Sequence, residues 1–331
     1  MEAQMHGGAR WTFGTLLGSA ALTAAGGLGL SFYSDRIARE AERLVPQDGR
    51  HVQVDGARLH YVDRGSGPAI VMIHGLGGQL RNFSYAMLEP LAKDHRVILV
   101  DRPGAGYSTA DDDGEPGVAE QPGIAEQGLI VGRLIETLGI DRPLVVGHSL
   151  GGAVALALAL ERPALIRGLA LIAPLTQPQD EVPEAFRGLA AIPASMRRLM
   201  AQTLGTPLSR LTAERTLAAV FAPEIPPADF ATRGGGALSQ RPRAIAAAAA
   251  DLASGGQDVA ALAARYPTLT VPTAILYGRE DAILDPARHG HPTAAAIPGA
   301  RIEVIEGGHM IPITAPDATT RFVTDASARF V

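Results

Sequence analysis

The chain of 331 residues contains no cysteine. That absence excludes a disulfide framework, thiol chemistry and cysteine-ligated metal, and it is compatible with either redox compartment. Lysine is almost as scarce: Lys93 stands alone, and arginine carries the rest of the positive charge. A formal net charge of −5 without any basic block leaves no electrostatic footprint for nucleic acid. No internal repeat runs along the chain, so solenoid and propeller arrays are excluded as well. Gly104-Ala105-Gly106 lacks the third glycine and the following helix that a dinucleotide site requires. His289-Gly290-His291 has no third ligand nearby and reads as surface loop. No metal and no cofactor are expected.

Charge is missing from one further place. Residues from Trp11 to Ser34 carry none, and Arg10 and Asp35 bound them. The length suits a bilayer-spanning helix, although Gly, Ser and Thr make the run only modestly apolar. Gly14 and Gly18 fit the small-x-x-x-small pattern of helix pairing. An uncleaved anchor, with the lipid bilayer as partner, is the expectation. The rival is a cleaved signal peptide of a secreted or periplasmic protein, with Thr23-Ala24-Ala25 as its cleavage site. Arg36, Arg39 and Arg43 outnumber Arg10, which tilts the rest of the chain toward the cytoplasm. Ser34 to Leu44 reads as a short juxtamembrane helix closed by Pro46, so residues 1–46 form a first segment.

Beyond Pro46, strands and helices alternate. His51 to Val54 and Arg58 to Val62 flank Asp55-Gly56, the pattern of a β-hairpin. Ala69–Ile73, Val97–Val100, Val145–Val146 and Gly168–Ile172 are short apolar runs of the kind found in buried parallel strands. Phe83 to Lys93 and Gly128 to Leu138 have helical spacing, and Asp111 to Gly123, acidic and rich in Pro and Gly, is a surface loop. After Pro174 the rhythm stops. Residues 175–265 hold helical stretches such as Ala194–Leu204 and Ala213–Phe221, and Ala244 to Leu252 is nearly pure alanine with little to pack. Strands resume at Val271–Tyr277 and Arg301–Ile305. The expected fold is α/β, a mostly parallel sheet covered by helices on both faces. Residues 47–174 and 266–331 are its two parts, with 175–265 inserted as a helical cap.

Val145-Val146-Gly147-His148-Ser149-Leu150-Gly151-Gly152 organises the chemistry. A strand ends in Gly-x-Ser-x-Gly and an Ala/Leu-rich helix begins at once, a context that pushes a serine hydroxyl out of the sheet edge. Serine needs a base, an orienting acid and an anion-receiving site. His309, in Gly307-Gly308-His309-Met310 after the last strand, is the candidate base. Asp281 follows its strand as candidate acid, with Glu280 and Asp285 close enough to compete. Two backbone N–H groups should receive the oxyanion, that of Leu150 beside the serine and that of Leu76 in the turn His74-Gly75-Leu76-Gly77. Asp101 reads as a loop-fixing carboxylate, His74 as a packed histidine shaping its turn, and His148 as a spacer.

His74-Gly75-Leu76-Gly77-Gly78, Asp101-Arg102-Pro103-Gly104-Ala105-Gly106-Tyr107-Ser108, the serine turn, Gly278-Arg279-Glu280-Asp281 and Gly308-His309 occur in this order. In these blocks the chain resembles the serine hydrolases of the α/β-hydrolase family, in their capped, esterase-like branch. The resemblance extends from about His51 to the C-terminus. It implies an eight-stranded type of sheet and favours Asp281 over its neighbours. It also implies a catalytic set of Ser149, His309 and Asp281. The expected substrate is a small to medium, largely apolar carboxylic ester, and oligomeric state is left open. Carbon–carbon bond hydrolysis or lactone opening on the same triad is the alternative, with a non-catalytic binding protein behind it. Met196, Met200 and Phe221 are the expected pocket side chains, with Phe186, Phe230 and Tyr266 as further candidates.

Overall fold

Five of the apolar runs lie side by side because their β-branched and aliphatic residues are buried on both faces. The computed structural model describes residues 8–110, 121–179 and 181–330, the first of these as backbone alone up to residue 24. Its strands are β1 (Arg50–Val54), β2 (Ala57–Arg64), β3 (Ala69–Ile73), β4 (Arg96–Val100), β5 (Thr109–Ala110), β6 (Leu144–His148), β7 (Gly168–Ile172), β8 (Thr273–Gly278) and β9 (Arg301–Ile305). They form one sheet in the order β1-β2-β4-β3-β6-β7-β8-β9, with β5 paired to β2. From β4 to β9 every pairing is parallel, whereas β2 runs antiparallel to β1, β4 and β5. The hairpin turns at Asp55-Gly56 as expected, with Val54 paired to Ala57.

Alternate residues of each strand feed two cores. Val71, Ile73 and Val145 face one side, under α2 (Ile124–Thr137) and α3 (Leu150–Glu161). Ile70, Met72 and Val146 face the other, packed with Phe83, Leu88 and, from a C-terminal helix (Pro316–Arg329), Phe322. Strand order reverses about β3, which has β4 on one side and β6 on the other. The chain segments leaving β3 and β6 therefore adjoin at the same edge, the place where sheets of this kind open a crevice.

Between β7 and β8 the described residues contain helices and no strand. The main ones are Thr206–Phe221 and Pro242–Ala263. The sequence suggests separate helices there, broken before Ala213. Instead the chain runs as helix from Arg197 to Phe221, through a wide π turn at Ala201–Gly205. Pro207 lacks an N–H and crowds the carbonyl four residues back, and that wide turn sits where the ordinary ladder would break. The alanine-rich stretch also packs more than expected: Ala244, Ile245, Ala247 and Ala248 are buried. Small side chains let this helix lie close against α2 and α3. Most of the expected loop Asp111–Gly123 falls outside the described residues.

The N-terminal segment corrects the sequence reading. It is a single helix, α1 (Gly8–Leu44), rather than an anchor followed by a separate short helix. Among the described residues no helix is long and apolar enough to cross a membrane. The bilayer anchor is therefore not supported, for a reason visible in composition: Gly14, Gly18, Gly26, Gly27 and Gly29, with Thr15, Ser19 and Thr23, dilute the aliphatic residues. The distal half of α1 docks on the insertion instead. Gln202 Nε2 donates to Asp35 Oδ1 at 2.7 Å, and Arg241 pairs with Glu42 at 3.0 Å. Ile37, Ala41 and Val45 are buried beneath it.

Candidate active site

Ser149 joins β6 to α3 with φ 55° and ψ −123°, a conformation L-residues rarely adopt. Neighbouring glycines make the turn possible. A Cβ on Gly151 would lie 2.1 Å from the Ile73 carbonyl oxygen, and one on Gly75 would lie 2.8 Å from the Ser149 Cβ. The Ser149 N–H donates to the Ile172 carbonyl at 3.1 Å, and its carbonyl accepts from Gly152 and Leu175, both at 2.9 Å. The turn is thus fixed from three sides while the hydroxyl borders a cavity. Leu150 begins α3, where the N–H has no intrahelical partner.

His309 and Asp281 arrive from the loops after β9 and β8. His309 Nδ1 lies 2.8 Å from Asp281 Oδ2, with both side chains buried. A carboxylate only accepts, so Nδ1 carries a proton, and in the neutral ring Nε2 is then the nitrogen with the lone pair. Asp281 Oδ1 accepts the N–H groups of Ile283 and Leu284 at 2.9 and 2.8 Å, which holds the carboxylate in place. Its competitors are otherwise engaged. Glu280, exposed, accepts the Gly307 N–H at 2.7 Å, and Asp285, also exposed, accepts that of Ala287 at 2.8 Å.

Ser149, His309, Leu150 and Leu76 all border one cavity of about 710 Å³ roofed by the insertion. Met200 and Phe221 border it, and so do Phe186 and Phe230. Met196 does not; it is 42% exposed on the outside of the insertion. The short helix at its position presents the far face, which helical spacing alone does not reveal. Tyr266 is packing, its hydroxyl donating to the Thr176 carbonyl at 2.8 Å.

Two buried histidines support the loops without titrating near neutrality. His74 Nδ1 donates to the Gly75 carbonyl at 2.8 Å while Nε2 accepts the Arg102 N–H at 2.9 Å. Burial, helped by the Arg102 charge, pushes its pKa down to about 3, so the ring stays neutral. This fits the turn-shaping reading of His74. His148 is more than a spacer. Its Nε2 donates to the His309 carbonyl at 3.0 Å, and burial and the neighbouring His309 bring it down to about 3. Glu224, from the insertion, accepts the Gly308 N–H at 3.1 Å, beside the same loop. Neither contact has a sequence signal, since each joins positions far apart. His289 also departs from the surface-loop reading: it is buried, and its Nδ1 accepts the Gln177 N–H at 3.3 Å. His291 is exposed as expected. Asp101 fixes its loop, accepting from Leu80 and Tyr107 N–H groups at 2.8 Å each. Among the described residues no group of three or more His, Asp or Glu could hold a metal.

The family model described as the alpha/beta hydrolase fold matches residues 68–316. The chain belongs to the α/β-hydrolase family. A putative carbamate hydrolase of Pseudomonas savastanoi is 30% identical over 276 residues, covering 81% of this chain and 96% of that protein. A shorter stretch of 123 residues is 38% identical to an acetyltransferase component of an acetoin cleaving system in Cupriavidus necator, spanning 31% of that protein. Among solved α/β-hydrolase structures, an esterase from Thermogutta terrifontis has TM-score 0.65 and 26% identity, covering 84% of this chain and 97% of that one. An enol-lactonase from Burkholderia xenovorans has TM-score 0.64 and 27% identity, covering 85% and 100%. The carbamate hydrolase, the esterase and the enol-lactonase are all hydrolases, as the family is.

Proposed function

We propose that the chain is a serine hydrolase that cleaves small to medium, largely apolar carboxylic esters through an acyl-enzyme. The observation that carries this reading is His309, held 2.8 Å from the buried Asp281 carboxylate and bordering one cavity with the strained Ser149 turn. Ser149 Oγ attacks the ester carbonyl as His309 Nε2 takes its proton, and Asp281 steadies the imidazolium. Negative charge on the former carbonyl oxygen is received by the N–H groups of Leu76 and Leu150. Collapse expels the alcohol, which takes the proton from His309. Water, deprotonated by the same nitrogen, then releases the acid and restores Ser149. Residues 175–265 serve as a cap that shapes the substrate space, on a core of residues 47–174 and 266–331.

The cavity lining supports an uncharged substrate. Arg215 is its one arginine or lysine among the described residues; it is 81% exposed at the side chain and paired with Glu184. Carbon–carbon hydrolysis of a keto acid calls for a buried cation over the carboxylate, and the lining argues against it. A lactone carries no such charge and fits equally well, and the likeness to an enol-lactonase favours keeping lactone opening as the second reading.

A fluorophosphonate is expected to label wild-type protein at Ser149 and leave Ser149→Ala unlabelled, with turnover of 4-nitrophenyl esters lost by up to about 10⁶-fold. Label on another residue, or undiminished turnover by Ser149→Ala, would overturn the serine-hydrolase reading. Comparing 4-nitrophenyl butyrate with a six-membered lactone separates the two substrate classes.

A further inference from the structure

The turn that presents the Leu76 N–H is gripped through one atom, the Gly75 carbonyl oxygen. His74 Nδ1 donates to it at 2.8 Å, Arg102 Nη2 at 3.1 Å and the Gly78 N–H at 3.3 Å. In a trans peptide the carbonyl and the following N–H point in opposite directions. Three donors on the Gly75 oxygen therefore aim the Leu76 N–H away from Arg102, and both Gly75 and Leu76 border the cavity. Arg102 reinforces the grip by donating Nε to the His74 carbonyl at 3.0 Å.

Arg102 is itself buried, and a buried guanidinium stays in place only if its charge is met. The partner comes from the insertion. Asp251 Oδ2 accepts from Arg102 Nη1 at 2.9 Å, and Asp251 is 3% exposed. Gln127 closes the group: its Oε1 accepts from Arg102 Nη1 at 2.7 Å, and its Nε2 donates to Asp251 Oδ1 at 2.9 Å. Gln121 Nε2 adds a weaker bond to the same oxygen at 3.3 Å. Nothing in this cluster touches the Ser149 hydroxyl or the His309 ring, yet it ends on the peptide that would receive the oxyanion.

We propose that Asp251, acting through Arg102, is a positioning residue that sets the aim of the Leu76 N–H. The inference rests on the serine-hydrolase reading. The insertion then does two jobs: it walls the cavity, and it supplies the charge that fixes half of the anion-receiving pair. Removing that charge frees Arg102 to turn toward other acceptors, and the Gly75 peptide loses a donor. Since this N–H binds the reacting oxygen more strongly in the transition state than in the ground state, the loss falls on kcat rather than KM.

The full-length protein is tested as Asp251→Asn, Asp251→Glu and Arg102→Lys, with Tyr85→Phe as control. Tyr85 makes a comparable bond between core and insertion, its hydroxyl donating to Asp229 Oδ1 at 2.7 Å, away from the Gly75 turn. Turnover of 4-nitrophenyl butyrate is expressed per site titrated with a fluorophosphonate, so misfolded protein does not count. Asp251→Asn is expected to lose about 10- to 100-fold in kcat, as for a donor displaced by a fraction of an ångström to about 1 Å. KM should stay within about twofold, and affinity for an alkylboronic acid, which forms a tetrahedral anion on serine, should fall with kcat/KM. Arg102→Lys keeps the charge beside Asp251 but loses the fork to Gly75, and should show the same kcat loss. Asp251→Glu should recover part of it, and Tyr85→Phe should match wild type. Wild-type kcat per titrated site in both Asp251→Asn and Arg102→Lys would overturn the proposal, as would a loss shared by Tyr85→Phe. If the wild type takes no label at Ser149, the functional reading itself has failed, a result distinct from either.

Discussion

Among the described residues two histidine–aspartate pairs are buried at one separation, 2.8 Å from Nδ1 to Oδ2: His309 with Asp281, and His60 with Asp101. Seen as pairs they are the same object. Their surroundings separate them. The His60 Nε2 faces the Asp48 carbonyl at 3.0 Å, so both ring nitrogens are held by acceptors and neither is available as a base. Asp101 also accepts the N–H groups of Leu80 and Tyr107, making it a staple between the hairpin and the loop after β4. His309, by contrast, borders the cavity together with Ser149. A histidine–aspartate pair gains chemical meaning only from what the second nitrogen is left to meet.

The sharpest way to test that contrast is to neutralise each acid in turn. Asp281→Asn is expected to lower kcat by about four orders of magnitude, because the amide favours the wrong tautomer of His309. Steady-state kinetics per titrated site measures it. Asp101→Asn should instead keep kcat per folded site within a few-fold but cost about 3–5 kcal/mol of stability, the loss expected on breaking a buried pair. Denaturant melts report the second effect. If Asp101→Asn crippled kcat and left the melt unchanged, the distinction drawn between the pairs would collapse.

A third lever acts on histidines outside both pairs. His74 and His148 titrate at about 3 and His289 at about 4 in the fold, held down chiefly by burial, against an ordinary value of 6.5. Between those limits the unfolded chain binds protons that the folded chain refuses. Their contribution to stability is therefore fully present above pH 6.5 and is lost as pH falls toward 3–4. Each contributes up to about 1.4 kcal/mol per pH unit within that window. Melting temperature measured from about pH 8 to about pH 4 should be level at first and then drop. A melt that stays level across that range would show these rings to be charged inside the fold.

The smallest effect concerns the cavity wall. Met200→Ala should shift preference along a series of 4-nitrophenyl esters by about 1–3 kcal/mol per methylene-sized change, with kcat on the best substrate nearly kept. Met196→Ala, on the outside of the insertion, should leave the series as it was.

Much of this arrangement is legible in the chain, and the reason is local. The Ser149 turn requires a strand, small residues and a helix in immediate succession, and all three are contiguous. Asp281 and His309 come directly after strands whose apolar runs are short and clearly bounded. The misreadings share the opposite property. His289 reads as surface because its partners, Thr176 and Gln177, lie far back in the sequence. Met196 reads as pocket because helical spacing says which residues share a face without saying which way the face turns. The run Trp11–Ser34 meets the length for a bilayer but not the apolarity, and its helix continues without a break into the charged residues that clasp the insertion.

The insertion holds the core at places that matter to one another. Asp251 reaches Arg102 under the Leu76 turn, the Gly234 carbonyl accepts from Gln79 and Asn82 at 2.9 and 3.0 Å, and Glu224 holds the Gly308 N–H. A roof fastened in this way cannot lift without disturbing the groups beneath it. Leu204 and Leu208 border the cavity while 46% and 53% exposed, so substrate is expected to enter beside them, past a roof that holds its shape. Selection becomes a question of cross-section rather than volume. A straight acyl chain can thread such an opening end-on, while a branched acid of equal carbon number is stopped at the mouth, so the enzyme should sort isomers that differ in neither mass nor hydrophobicity.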